Sequence, residues 1–294
     1  MAWLDMHLHS CYSDDGEYTP GELMSICLKE GVRTAAIADH NTTQGVAEAK
    51  KQAAAMGITL IPGIELDCVF RKVNLHLLGY WIDDTFDGFA QVEKMILEQE
   101  QKAAAKRLEL VEALGIYIHA ADIGRLSKQG VVTGEMIAEA ALGNPQNDQN
   151  PLLLPYRSGG TRSDNPYVNF YWDYCAQGKP AYVPIHYISL PEAVALVRKA
   201  GGVPVLAHPG NNIGEDVELL SAILQQGVDG IEVFSSYHSP EQTDFYLKMA
   251  EEFGVAASCG SDFHGKTKPN IRVGCVDCRK LEEELLSRLM DKRR

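Results

Sequence analysis

The 294-residue chain carries 40 acidic against 27 basic side chains, a formal charge of −13, with 45% hydrophobic and 23% charged residues. That length suits one large domain or two ordinary ones, the composition excludes disordered and collagen-like classes, and the acidic excess disfavours non-specific attraction to a nucleic-acid backbone or an anionic membrane. No stretch of about 18 apolar residues occurs, the start Met1-Ala2-Trp3-Leu4-Asp5 has no basic n-region, and the seven scattered cysteines lack a disulfide-framework spacing, so a reducing, cytoplasmic location is expected.

In chain order, short apolar runs alternate with helical patterns, the signature of parallel strands with crossover helices. Trp3 to His7 predicts a strand, and Thr19-Pro20-Gly21-Glu22 a capped helix running to Glu30 before Gly31. Thr34 to Ala38 predicts a second strand, with Asn41 and Gln44 capping a helix to Met56. Ile58 to Ile61 predicts a third strand, ending in Pro62-Gly63-Ile64-Glu65, and Val73 to Trp81 a fourth, paired in a hairpin with Asp67 to Arg71.

From Phe86 the rhythm changes to a long amphipathic pattern reaching Leu114, followed by helical pieces with no strand between them to about Gly178. The expected organisation is a barrel-forming domain from residues 1–85 and 179–294, interrupted by a helical insertion, 86–178, that serves as lid or substrate domain. Gly143 to Pro166, rich in Asn, Pro, Gly and Ser, is the expected mobile loop. The strand-helix unit then returns with Ser189-Leu190-Pro191-Glu192, strand Val203 to Ala207, a helix from Glu215, strand Gly230 to Phe234, a helix start at Ser239-Pro240-Glu241-Gln242, and strand Val255 to Cys259. About seven units result, an α/β plan.

His7, His9, His40, His76, His208 and His264 each fall at or just after the end of an expected strand, with Glu65 and Asp262 in the same relation. In barrels of parallel strands that rim is where functional side chains project. Asp5-Met6-His7-Leu8-His9 sets three polar ligand types at period two, so all can face one side. Imidazole with carboxylate suits Mn, Fe or Zn, and the absence of clustered thiols argues against an all-sulfur site.

These motifs resemble the polymerase and histidinol phosphatase (PHP) superfamily of metal-dependent phosphoesterases: Asp5-Met6-His7-Leu8-His9-Ser10, Ala38-Asp39-His40, Pro62-Gly63-Ile64-Glu65 with His76, and Ala207-His208-Pro209 with Gly260-Ser261-Asp262-Phe263-His264. The resemblance covers roughly residues 1–82 and 180–270. It implies a distorted (β/α)7 barrel with a small helical insertion domain and three divalent cations, Mn foremost, with Fe or Zn as alternatives. It puts His7, His9, Glu65 and Asp262 on one ion, Glu65, His76 and His208 on a second, and Asp14, His40 and His264 on a third. At the last position Asp14-Asp15-Gly16 offers two acids, of which the spacing after His9 favours Asp14.

The implied reaction is hydrolysis of a small phosphate ester by a metal-bridging hydroxide, since clustered divalent ions acidify water and neutralise phosphoryl oxygens. His238, after a barrel strand, is the expected group to touch substrate or protonate the leaving oxygen, and Arg157 and Arg162 are expected to hold a second phosphate. The Ser163-Asp164-Asn165-Pro166-Tyr167 segment resembles relatives that open cyclic sugar phosphates and then remove the monoester. Nucleotide 3',5'-bisphosphates and histidinol phosphate are the alternative substrates, because Val132-Thr133-Gly134-Glu135-Met136 replaces the Arg and His usual in the bisphosphate subgroup. A nuclease or proofreading role is disfavoured by charge, and no membrane or nucleic-acid partner is expected.

Overall fold

A computed structural model of the chain describes residues 2–293. Strand β1 (Leu4–Leu8) leads to helix α1 (Pro20–Glu30), which starts and stops on local chemistry. Thr19 caps its first turn, Glu22 bonds back to Thr19, and Gly31 takes the left-handed conformation at φ 83° that closes it. β2 (Thr34–Ile37) and α2 (Val46–Met56) repeat the unit. The start of α2 departs from expectation: Gly45 is its cap, while Asn41 sits in the left-handed region at φ 58° and exchanges two hydrogen bonds with Asp67. A short polar side chain tolerates that backbone where a larger one would clash.

β3 (Thr59–Phe70) and β4 (Val73–Tyr80) form one long antiparallel hairpin, turned by Arg71 and Lys72 at positive φ. The expected third strand therefore does not end at Pro62-Gly63 but runs on for twelve residues. Gly63 is what lets it pass, since a Cβ there would lie 2.7 Å from the Ile37 carbonyl oxygen.

The insertion follows as α3 (Asp87–Ala113), α4 (Ala120–Leu126), α5 (Gly134–Gly143) and α6 (Pro166–Phe170), the last running into a π-turn at Tyr171–Cys175. Its later part has its own apolar cluster, built from Val111, Ile137, Leu153, Phe170 and neighbours, whereas Phe89, Val92 and Ile96 in the first half of α3 pack in the barrel core with Leu77, Val205, Ile231 and Tyr246. β5 (Ile188–Ser189), too short to show in the sequence, returns the chain by pairing with Cys68 and Val69. The remaining units are α7 (Leu190–Lys199), β6 (Val203–Leu206), α8 (Pro209–Asn212), α9 (Val217–Leu224), β7 (Gly230–Ser235), α10 (Pro240–Phe253), β8 (Ala256–Gly260) and α11 (Glu282–Met290). Ser189 and Ser239 cap α7 and α10 with reciprocal side-chain bonds, as their sequences predict.

The sheet order is β1-β2-β3-β4-β6-β7-β8, parallel except that β4 runs antiparallel to both neighbours. Leu8 bridges Phe263, His9 N donates to Phe263 O at 3.0 Å and Asp262 N to His7 O at 2.9 Å, so the first and last strands meet and the sheet becomes a distorted seven-stranded barrel. Gly260 permits this closure, because a Cβ there would sit 2.2 Å from that of His7. The reversed β4 also explains His76, which lies within its strand and not at the end: in an antiparallel strand the N-terminal half occupies the rim where its parallel neighbours end.

Candidate metal centre

Each strand delivers its polar side chains to one rim. His7 and His9 follow one another at period two from β1, Glu65 comes from β3, His76 from β4, and His208, Asp262 and His264 from the turns after β6 and β8. His208 and Asp262 hold positive φ, 22° and 56°, a backbone cost concentrated where function resides. His7, His9, Glu65, His208, Asp262 and His264 are all buried, which an isolated set of such groups would not tolerate.

Four ligand groups converge. His7, His9, Glu65 and Asp262 bring one atom each within 4.8 Å of one another, as do Glu65, His76 and His208; His9, Asp15, His40 and His264; and His40, Asp67 and His76. The first two are the sets drawn from the sequence. In the third the structure places Asp15 and not Asp14: Asp15 Oδ2 lies 3.1 Å from His264 Nε2, while Asp14, which borders the neighbouring cavity with it, joins none of the four groups. The loop turns back at Gly16, whose Cβ position is 2.0 Å from Ser10 O, and this turn carries the second acid inward. Burial pushes both carboxyls up. The imidazoles of His264, His40 and His9 outweigh this at Asp15 and hold it low, whereas Asp15 itself drives Asp14 well above the usual range.

The imidazole protons are fixed by partners behind the cluster. His7 Nδ1 donates to Glu232 at 2.9 Å and His264 Nδ1 to the Asp262 carbonyl at 2.9 Å. Ser13 Oγ donates to Asp39, so at 3.0 Å from His9 Nδ1 it accepts. Asn212 donates through its amide nitrogen to Asn74 O, leaving its oxygen, 3.2 Å away, for His208 Nδ1. Each ring is thereby left with a bare Nε2, and each Nε2 faces carboxylate: His7 and His9 lie 3.1–3.3 Å from Glu65 Oε2 and Asp262 Oδ1, and His208 is 3.2 Å from Glu65 Oε1. His7 Nε2, His9 Nε2, His264 Nε2, Glu65 Oε2 and Asp262 Oδ1 have no hydrogen-bond partner. Lone pairs pointed at lone pairs in a buried site are stable only with protons or cations between them.

Without ions, protons fill that role. Burial lowers the His7 and His76 pKa values, but Glu65 with Glu232 and Asp262 holds His7 well up, and Glu65 with Asp67 holds His76 up at about 9. Burial and the neighbouring His264 and His40 press His9 down to about 3.

Of the carboxylates adjacent to ligands in sequence, Asp39 orients His9 through Ser13, whereas Asp5 touches no imidazole: it accepts from the backbone of His7, Ser261 and Gly274. Sequence reasoning missed Glu232, Asp67, Lys268 and Tyr237. Lys268 Nζ and Tyr237 OH both donate to Asp262 Oδ2, at 2.5 and 2.7 Å. Asp67 lies two residues beyond Glu65 on β3, and Glu232 is the one charge in the strand Gly230–Ser235, so both left a signal.

His238, expected to touch substrate or protonate the leaving oxygen, is in none of the four ligand groups. Its Nδ1 donates to Val233 O at 2.9 Å and its Nε2 accepts from Gly210 N at 3.1 Å, with the ring stacked on Tyr246, so both nitrogens are engaged and the group holds α8 in place. Neither expected arginine lines a cavity at the site. Arg162 forms a bidentate pair with Asp173 at 3.0 Å, and Arg157 binds Leu142 O and Asp148.

Two cavities flank the cluster. The larger, about 580 Å³, opens beside Asp15, His40, Asp67 and His76 and is walled by the insertion. Its cations are engaged: Arg107 with Glu100 and Val132 O, Lys128 with three backbone carbonyls. Glu135 joins the wall, its carboxyl raised to about 7 by burial and by Asp15. The smaller, about 300 Å³, shares Asp67 and His76 and is lined by Lys72, Lys179 and Trp172; among the described residues neither lysine has an acidic partner.

Residues 5–125 match the PHP domain family. The chain is 31% identical over 299 residues to a 3',5'-nucleoside bisphosphate phosphatase of Chromobacterium violaceum, covering 99% of each. It is 29% identical to a 5'-3' exoribonuclease of Haemophilus influenzae, over 88% of this chain and 89% of that one. It is 25% identical to a phosphoribosyl 1,2-cyclic phosphate 1,2-diphosphodiesterase of Eggerthella lenta, over 89% and 94%. A crystal structure from Bifidobacterium adolescentis described as a metal-dependent phosphoesterase superposes with a TM-score of 0.76 at 29% identity, covering 97% of this chain and 96% of that one.

Proposed function

We propose, from the premise that the chain belongs to the PHP superfamily and is a metal-dependent phosphoesterase, that its rim cluster hydrolyses a small nucleotide or sugar phosphate bearing a second anionic group. The bare imidazole nitrogens facing unpartnered carboxylate oxygens carry this reading, because that donor set suits divalent ions. His7, His9, Glu65 and Asp262 would hold one ion, Glu65, His76 and His208 a second, and Asp15, His40 and His264 a third, with Mn favoured by the mixed nitrogen and oxygen donors. Such ions supply the charge that acidifies water near neutral pH and neutralises phosphoryl oxygens.

The protein's own part is placement. Glu232, Ser13, Asn212 and the Asp262 carbonyl fix which nitrogen is bare on His7, His9, His208 and His264, and Lys268 with Tyr237 holds Asp262 still. The cations of the large cavity are already engaged, so it suits a sugar or other neutral part of the substrate, whereas Lys72 and Lys179 suit a non-reacting phosphate in the small one. The cyclic-diester reading has a relative in its favour and is an arm of the same test. The acidic chain remains poorly suited to long nucleic acid, although an exoribonuclease relative requires an oligonucleotide arm. The seven free cysteines suit a reducing cytoplasm, and among the described residues no helix is long and apolar enough to cross a membrane.

A phosphate-release panel on the metal-loaded protein decides the substrate. Nucleoside 3',5'-bisphosphates should be hydrolysed with the highest kcat/KM, above cyclic ribose phosphates, histidinol phosphate and 5'-phosphorylated oligonucleotides. Lys179→Ala should raise KM for bisphosphates more than for monophosphates. A higher kcat/KM for cyclic esters or oligonucleotides, or an equal KM change on mono- and bisphosphates, would overturn this assignment.

A further inference from the structure

Between α4 and α5 the insertion makes a tight turn whose central residues, Gln129 and Gly130, take φ values of 51° and 83°, with Val131 N bonded to Lys128 O at 2.9 Å. Gln101 of α3 grips the turn by donating to Gln129 O at 2.7 Å, so Lys128 projects from a braced support. Its ammonium reaches across to the loop after β1 and donates to three main-chain carbonyls, Cys11 O at 3.2 Å, Ser13 O at 2.8 Å and Gly16 O at 2.6 Å. An ammonium has three N–H groups, and this cradle matches them one for one.

The loop so gripped carries Asp15. It also carries Ser13, whose hydroxyl takes the His9 proton and accepts from His40 N at 2.9 Å. Three carbonyl dipoles converging on a point repel one another unless a positive charge sits there. Elsewhere the loop is held by its contacts with Asp39 and by bonds such as Cys11 N to Tyr18 O, but the carbonyls of Cys11, Ser13 and Gly16 are tied together by Lys128.

We propose that Lys128 is the positioning residue of the Asp15 loop, its ammonium occupying a carbonyl cradle of the kind that binds a monovalent cation and so making one group of metal ligands depend on the insertion. This rests on the metal-centre reading above, and it adds that the insertion completes the centre as well as walling the cavity. Lys128 borders the large cavity, but its three N–H groups are spent on the loop carbonyls, so it acts through the loop.

The test is Lys128→Met in the full chain, with Lys128→Gln as a second variant in case Met prevents folding, and folding checked by circular dichroism. Two readouts are taken: amide hydrogen exchange of residues 11–16 in chelator-treated protein, and manganese binding by calorimetry. Loss of a group that orients metal ligands typically lowers affinity about 10–100-fold, so the weakest manganese step should weaken by that range and the loop should exchange faster. Potassium or ethylammonium, added in place of sodium, should refill the cradle, restoring protection and part of the affinity in the variants while leaving wild type unchanged. Unchanged exchange in the variants, or no response to potassium and ethylammonium, would overturn the proposal. If wild type binds no manganese the metal-centre reading fails, and the exchange arm still decides the role of Lys128.

Discussion

Glu232 lies behind the cluster, fully buried, with Oε1 2.9 Å from His7 Nδ1 and Oε2 2.9 Å from His208 N. Both partners donate, so the carboxylate serves as a double acceptor that fixes the His7 tautomer and anchors the turn of His208. Glu232→Gln keeps the shape but offers one acceptor and one donor. Either the His208 amide then meets an N–H, at a cost of about 1–3 kcal/mol for an unsatisfied buried group, or His7 moves its proton to Nε2, which turns an N–H toward Glu65 and Asp262 and removes a ligand. The first outcome lowers thermal stability, and the second lowers metal affinity about 10–100-fold, equivalent to roughly 1.4–2.7 kcal/mol. Manganese titration by calorimetry, run beside differential scanning calorimetry of metal-free protein, separates the two. A Glu232→Gln protein matching wild type in both would refute the claim that this carboxylate sets the His7 tautomer.

Three further outcomes are expected. Asp15→Asn should weaken one manganese step, whereas Asp14→Asn should leave the binding isotherm unchanged, since Asp15 faces His264 and Asp14 joins no ligand group; the reverse pattern would favour the sequence-based choice. His76, held up at about 9 against an ordinary 6.5, binds its proton more tightly folded than unfolded, so its contribution to metal-free stability is complete below about 6.5 and fades as pH rises through 9. The stability gap between wild type and His76→Gln, measured by urea denaturation in chelator, should therefore narrow between pH 6.5 and 10, and a constant gap would contradict the assignment. His238→Ala should lose about 1–3 kcal/mol of stability by leaving Gly210 N without its acceptor while the shape of the pH–rate profile stays unchanged; loss of one limb of that profile would return His238 to an acid role.

The sequence made the barrel and much of the rim legible for a physical reason. Strand ends and helix caps are local, so His7, His9, Glu65 and His208 could be assigned to one rim from position alone, and Thr19, Ser189 and Ser239 cap as their neighbours dictate. What escaped depends on distant chain. Asp15 and not Asp14 lies beside His264 because of how Gly16 folds against Ser10, and β3 continues past Pro62 because β4 is there to pair with it. The arginines were chosen as guanidinium forks on the insertion that match phosphate oxygens, but Asp173 and Asp148 already engage them. His238 followed a strand as the ligands do, yet α8 and Tyr246 take up its ring, a packing that spacing does not encode.

The central claim is that bare imidazole nitrogens and carboxylates share inorganic cations at the rim. Its most direct measurement is anomalous diffraction from crystals of protein purified without chelator and supplied with manganese, with hydrolysis assayed before and after chelation. Anomalous peaks should appear between His7, His9, Glu65 and Asp262 and between Glu65, His76 and His208, and chelation should abolish phosphate release. Empty density among those side chains together with undiminished hydrolysis in chelator would contradict the account.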